Sequence, residues 1–282
     1  MNPDRRGAAR RQSPRPVAGH VARKRFGQHF LADRSVLASI ASAIGPRAGE
    51  PLLEIGPGLG ALTAVLFETL PRLAAVEIDR DLCARLQRRY GEDRLVLFEA
   101  DALSFDPARA LERLAPSSGA GHTLRIVGNL PYNISSPLLV HLIDARHLVR
   151  DQHFLLQKEV VERIVAEPGS SDFGRLSVLL QAFYEVELLF EVGPEAFDPP
   201  PRVDSAVLRM TVRERPLVDD PAPLQKVLAV AFAQRRKMIR STLLPWLAEH
   251  GIAAEGLVGQ ARAEDISLEH YCDLARALSQ SG

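Results

Sequence analysis

The residues Asn129-Leu130-Pro131-Tyr132 can, in that order, act on a nucleobase amine. They follow an apolar run, Arg125-Ile126-Val127, and a single glycine, Gly128. The exocyclic amine of adenine is a poor nucleophile because its lone pair is delocalised into the ring. Two acceptors on its N–H groups would bring that lone pair out of conjugation. The Asn129 side-chain oxygen is one candidate. The Leu130 carbonyl is the other, with Pro131 fixing the local backbone and offering no competing N–H. Tyr132 is then expected to stack on a base taken out of its helix. No general base is required, because the proton becomes acidic as nitrogen bonds to carbon. The same residues also suit an ordinary strand-to-helix loop, so the neighbouring elements must decide.

Those elements predict a cofactor cradle. Pro51-Leu52-Leu53-Glu54-Ile55 reads as a short buried strand, followed by Gly56-Pro57-Gly58-Leu59-Gly60 and a helix from about Ala61 to Leu70. A strand, a glycine turn and a helix bind nucleotide-like cofactors at the switch point of a parallel sheet. The glycine spacing is not the full dinucleotide fingerprint, and no Lys-Ser or Lys-Thr follows it as in a phosphate loop. A second strand, from Leu73, carries Glu77, 19 residues after Gly58, where a carboxylate can accept both hydroxyls of an adenosyl ribose. A third, from Arg94, ends in Asp101, an acceptor for the cofactor's adenine amino group. One glycine turn with two strand-end acids predicts S-adenosylmethionine rather than a nicotinamide cofactor. Strand four lies beside strand one in a doubly wound sheet, so Asn129 would project next to the glycine turn.

The rest of the chain sets the frame. Its 282 residues, 46% hydrophobic and 25% charged, fit one large domain with a smaller companion. No apolar run is long enough to cross a bilayer, no signal peptide is visible, and neither Cys83 nor Cys272 has metal-ligand spacing. A cytoplasmic protein without a metal is expected. Net charge is zero but uneven: residues 1–25 hold eight Lys or Arg against Asp4, so they carry +7 and the remainder −7. Residues 1–22 are expected to be a disordered basic arm, with nucleic-acid attraction and no specific role left open as alternatives.

Further along, Ser135 or Ser136 is expected to cap a helix from Pro137, and residues 168–174 read as a mobile loop near the substrate edge. Phe197-Asp198-Pro199-Pro200-Pro201 is stiffened by three prolines and could hold Phe197 against the other face of the flipped base, or simply bury it in a core. Beyond a polar boundary at 213–223 the pattern turns helical. Gln234 to Arg240 puts four cations in seven residues, and Arg235, Arg236 and Lys237 are candidate RNA contacts. The expected organisation is a methyltransferase domain over 23–213 and a small all-helical domain over 214–282. The fold class is α/β, Rossmann-like, with a seven-stranded, mostly parallel sheet.

Four stretches occur in one order: Lys24 to Leu31, Glu54 to Gly60, Val127 to Ser135, and Phe197 to Val207. With Gln157 to Val160 and Gly174 to Val178, they resemble the bacterial small-subunit ribosomal RNA adenine dimethyltransferases, over about residues 24–245. The resemblance implies four methyl transfers from S-adenosylmethionine, two to each of two adjacent adenines near the 3′ end of that RNA. It implies a pre-ribosomal particle as substrate and a role in subunit maturation; nothing in the sequence suggests an obligate dimer, so a monomer is expected. By motif position it implies cofactor contacts at His29, Leu31, Gly56, Glu77, Asp101 and Asn129. His29 departs from the pattern, which has Asn there, and adds pH dependence. Two rivals remain: a ribosome-assembly factor without catalysis, and the large-subunit enzyme type that confers macrolide resistance.

Overall fold

The computed structural model describes residues 29–115 and 123–280. The basic arm 1–22, residues 24–28 of the anchoring segment and the loop 116–122 lie outside the described residues.

The chain opens with β1 (Phe30–Leu31) and α1 (Arg34–Ile44). Asp33 caps α1 through one carboxylate oxygen, which accepts the N–H groups of Ser35 at 2.7 Å and Val36 at 3.1 Å. Gly45, at φ 55°, ends it in the left-handed conformation. Then follow β2 (Leu52–Ile55), α2 (Ala61–Leu66), β3 (Leu73–Glu77), α3 (Arg80–Arg94), β4 (Leu95–Glu99), α4 (Ala108–Leu114) and β5 (Leu124–Asn129). β2 and β3 are buried at every residue, and β5 at all but its last, as expected for parallel strands covered on both faces. The second half supplies α5 (Ser135–His141), β6 (Val149–Gln157), α6 (Lys158–Val165), α7 (Arg175–Gln181), β7 (Tyr184–Val192), β8 (Phe197–Asp198) and β9 (Ser205–Val212). Three helices close the chain: α8 (Pro221–Ala231), α9 (Leu243–Glu249) and α10 (Leu268–Gln280).

Seven strands form one sheet in the order β4-β3-β2-β5-β6-β9-β7. The first five are parallel, and β9 runs antiparallel between β6 and β7. β5 therefore lies directly beside β2, with Leu53 opposite Ile126 and Glu54 opposite Val127. Separately, β1 pairs with β8, Leu31 opposite Phe197, and ties the start of the described chain to the proline loop.

Several local expectations are corrected. Ser135 already lies inside α5, whose first residue follows Ile134, and no side chain caps it; the Ser135 hydroxyl instead donates to the Tyr132 carbonyl at 3.1 Å. The loop 168–174 is pinned rather than open: Gly169 N–H donates to Glu264 O at 2.7 Å and Phe173 is wholly buried. Most of Gln234 to Arg240 is turn rather than helix; only Ile239 and Arg240 enter a 3₁₀ turn. The terminal helices do not have a separate core. One apolar cluster runs from Leu53 and Ile126 through Phe154 and Phe183 to Leu228, Leu247 and Tyr271.

The tightest joint is Gly128. A Cβ at this position would stand 2.4 Å from the Ile55 carbonyl oxygen of the neighbouring strand, and a backbone atom cannot swing aside. Replacing Gly128 by Ala is expected to cost roughly 1–3 kcal/mol, the range for forced overpacking. Urea unfolding checks this, and an unchanged midpoint would refute the constraint.

Candidate active site

Parallel pairing brings the glycine turn after β2, the acids after β3 and β4, and the turn after β5 to one carboxyl edge of the sheet. There they line a cavity of about 280 Å³. Its wall includes His29, Leu31, Gly56, Gly58, Glu77, Asp101, Asn129, Leu130, Pro131 and Tyr132, ten of the residues singled out from the sequence. Phe197 is not among them. Its ring is 4% exposed and belongs to the apolar cluster of Leu31, Leu37 and Ile40, so of its two sequence readings the core position is the one found.

The orientation of Asn129 is fixed from outside the turn. Its side-chain nitrogen donates to the His29 carbonyl at 3.0 Å. A carbonyl only accepts, so the amide NH₂ must face His29, and the amide oxygen is turned away from it. Neither that oxygen nor the Leu130 carbonyl accepts a hydrogen bond from the described residues. Leu130 is held from its other side, by burial and by an N–H bond to Leu155 O at 3.2 Å. Tyr132 is half-buried; its hydroxyl pairs with Ser205 Oγ at 3.0 Å, and its ring stacks on His29 with centroids 5.7 Å apart. His29 Nδ1 lies 2.9 Å from Pro199 O. His29 thus joins the asparagine, the tyrosine and the proline loop at one point.

The cofactor side is carboxylate-rich. Glu77 accepts the Ile78 and Asp79 N–H groups on Oε1 and the Gly58 N–H, at 3.2 Å, on Oε2. Its remaining acceptor capacity is therefore on Oε2, the oxygen facing the glycine turn. Gly58, at φ 57°, needs glycine: a Cβ would also press on the Phe30 ring at 3.2 Å. Asp101 spends one oxygen on Leu103 N–H at 2.9 Å and is otherwise exposed. Two wall residues escaped the sequence reading. Ile78 is 45% exposed, an apolar side chain left open beside Glu77. Glu54 is buried, with Thr63 Oγ1 donating to its carboxylate at 2.6 Å. An acid inside the apolar run Leu52 to Ile55 was the signal for it. Burial pushes Glu54 up to about 7; the Thr63 bond opposes this and the charge of Glu77 adds to it.

Glu54, Glu77 and Asp101 thus face a cavity that has no Lys or Arg among the described residues of its wall. That donor set fits a cationic ligand with hydroxyl and amine donors, as a sulfonium nucleoside has.

A doubly wound sheet with this edge defines a Rossmann-like methyltransferase. The chain belongs to the ribosomal RNA adenine dimethylase family, whose model matches residues 19–280. It is thereby an S-adenosylmethionine-dependent rRNA adenine dimethyltransferase. It is 54% identical over 270 residues to the ribosomal RNA small subunit methyltransferase A of Bordetella pertussis, covering 94% of this chain and 97% of that one. Identity to the protein of the same name from Leptothrix cholodnii is 50%, covering 93% and 94%. Among solved structures, a dimethyladenosine transferase from Plasmodium falciparum shares the fold at TM-score 0.72 and 22% identity, over 90% of this chain and 98% of that one. The 23S rRNA methyltransferase ErmE aligns at TM-score 0.63 and 25% identity, over 89% and 100%.

Glu54 gives a pH signature. Its folded pKa is raised above the ordinary 4.5, so folding favours the protonated acid. Its contribution is fully present below 4.5 and is lost as pH rises to about 7. The loss should amount to about 3 kcal/mol. Urea midpoints from pH 5 to 8 should fall for the native chain and stay flatter for Glu54→Gln; parallel profiles would disprove the assignment.

Proposed function

We propose that the chain dimethylates N6 of two adjacent adenines near the 3′ end of small-subunit rRNA, within an immature small subunit, and so aids its maturation. The observation that carries this reading is a pair of acceptors, Asn129 Oδ1 and Leu130 O, that take no hydrogen bond from the described residues, beside a carboxylate-lined cavity. Relatives at 50% identity and above that are named small-subunit enzymes favour the small-subunit RNA over the large-subunit one.

In this reading Asn129 Oδ1 and Leu130 O take the two N–H groups of the target amine and turn its lone pair toward the donor. Tyr132 presents the ring face opposite His29 to the extruded base. Bound S-adenosylmethionine supplies an electrophilic methyl on a positively charged sulfur. Gly56 and Gly58 let the backbone approach it. Glu77 takes a ribose hydroxyl through Oε2, and Asp101 takes the adenine amine through its second oxygen. His29 and Leu31 close the methionine end. Glu54, buried with Thr63 Oγ1 on its carboxyl group, supports the glycine turn from beneath.

RNA contact is assigned to residues 214–282, working as a unit with the methyltransferase part, 23–213. Arg235 is largely committed to the fold: its guanidinium donates to Ser171 O and Phe173 O and lies 3.7 Å from Glu264. Arg236 and Lys237 are exposed without an ion pair among the described residues and carry the attraction to phosphate. No described helix is long and apolar enough to cross a membrane. A monomer acting in the cytoplasm completes the reading.

Labelled S-adenosylmethionine and unmethylated small subunits test it, with the label mapped by mass spectrometry. Dimethyladenosine at the paired adenines is expected. Asn129→Ala should lower transfer by about 10²-fold or more while particle binding persists, the scale for losing one preorganised polar contact. Label on large-subunit RNA alone would select the resistance-type enzyme, and binding without label the assembly factor.

A further inference from the structure

A second cavity, of about 410 Å³, opens among the early residues of β5 and β6, at the end of α1. It is far from the methyl-transfer edge: four residues of β5, about 13 Å of strand rise, separate Arg125 from Asn129. Its chemistry is the reverse of that edge. Arg47, Arg125, Arg150 and Arg209 line it, with Asp151 and His153. Register explains the grouping. Asp151 and His153 of β6 stand opposite Thr211 and Arg209 of β9, and alternate residues share one face.

The arginines outnumber their partners. Arg125 Nε meets Asp151 at 2.8 Å and its Nη1 meets Glu50 at 3.4 Å. Arg150 bridges the same two carboxylates, each at 3.1 Å, and Arg209 pairs with Glu187. Three carboxylates thus serve three guanidinium groups, while Arg47 has no ion pair among the described residues. The cavity wall keeps one excess positive charge, and Arg47 and Arg150 are both exposed at its mouth.

His153 provides the independent observation. It is 3% exposed, and among the described residues neither ring nitrogen makes a hydrogen bond, although Nδ1 lies within ion-pair distance of Asp151, at 3.5 Å. A buried polar group without a full partner is costly. A ligand with acceptor oxygens would match the planar donors of the arginines, with the buried His153 ring beneath them.

We infer that this cavity is a binding site for a phosphate group, held by Arg47, Arg150 and Arg209 with His153 at its floor. Free phosphate and the phosphodiester of an RNA strand present the same oxygens. Arg125 and Asp151 form the wall rather than the grip, because their side chains are only 6% and 11% exposed, whereas that of Arg150 is 48% exposed.

The test is titration calorimetry of the full chain with inorganic phosphate at constant ionic strength, and with a short single-stranded RNA. The double variant Arg47→Ala, Arg150→Ala is the comparison. Both side chains are exposed and lie outside the methyl-transfer edge, and circular dichroism checks folding. Saturable 1:1 phosphate binding, weakened at least tenfold in the double variant, is expected for a free-phosphate site. RNA binding weakened tenfold in the variant, with phosphate competing, would assign the site to the RNA backbone. No phosphate binding together with RNA binding untouched by the variant would overturn the inference. So would phosphate binding of equal strength in both proteins. Methyl transfer by the native chain is measured alongside, so its loss would indict the proposed function and not this site.

Discussion

The close approach of β5 to β2 at Gly128 is the constraint on which the rest depends. Two parallel strands normally leave room for a Cβ on each residue, but here the Ile55 carbonyl fills the space where one would stand. That contact brings the end of β5 against the beginning of the glycine turn. Gly56, at φ 65°, and Asn129 then face each other across one strand spacing, with the Asn129 carbonyl 3.9 Å from where a Gly56 Cβ would lie. The donor cradle and the acceptor turn share a wall because two glycines allow two backbones to touch.

A site built on backbone proximity still needs its side chains aimed, and a short strap supplies that. β1 and β8 are each two residues long and pair with one another rather than with the main sheet. They gain their stability from burial of Leu31 and Phe197 in the cluster over α1. The outcome is that the His29 carbonyl meets Asn129, its ring meets Tyr132, and its Nδ1 meets Pro199. Phe197 therefore contributes by holding the strap down. A base stacked on Tyr132 has the face away from His29, because rings 5.7 Å apart leave no gap for another between them.

What could be read from the sequence follows the range of the physics. Glycine turns, strand-end acids and the Asn-Leu-Pro-Tyr turn are local, and parallel topology then collects them at one edge. The same rule placed the strand that ends in Asn129 beside the strand that enters the glycine turn, where the structure has it. Contacts that depend on tertiary neighbours were not legible. Arg235 looked like a free cation until the 168–174 loop folded against it. Glu54 looked like one acid among many, and only the contact with Thr63 and full burial make it unusual. Ser135 looked like a cap, but the preceding turn takes its hydroxyl first.

Charge is sorted along the sheet in a way that composition conceals, since the chain as a whole is neutral. Among the described residues, carboxylates line the carboxyl edge without a Lys or Arg in the cavity wall, whereas arginines collect around the early residues of β5 and β6. The sorting has an electrostatic logic. A cation brought to the first edge meets the exposed Asp101 and the buried Glu77, where attraction is several-fold stronger than in water. Had Arg125 and Arg150 been placed there, they would have neutralised those acids and repelled a sulfonium. At the other edge they instead meet Asp151 and Glu50, and the surplus guanidinium is left to face solvent. Among the described residues His153 is the one side chain that lines both cavities, so the acidic and the basic edge meet at a single buried imidazole.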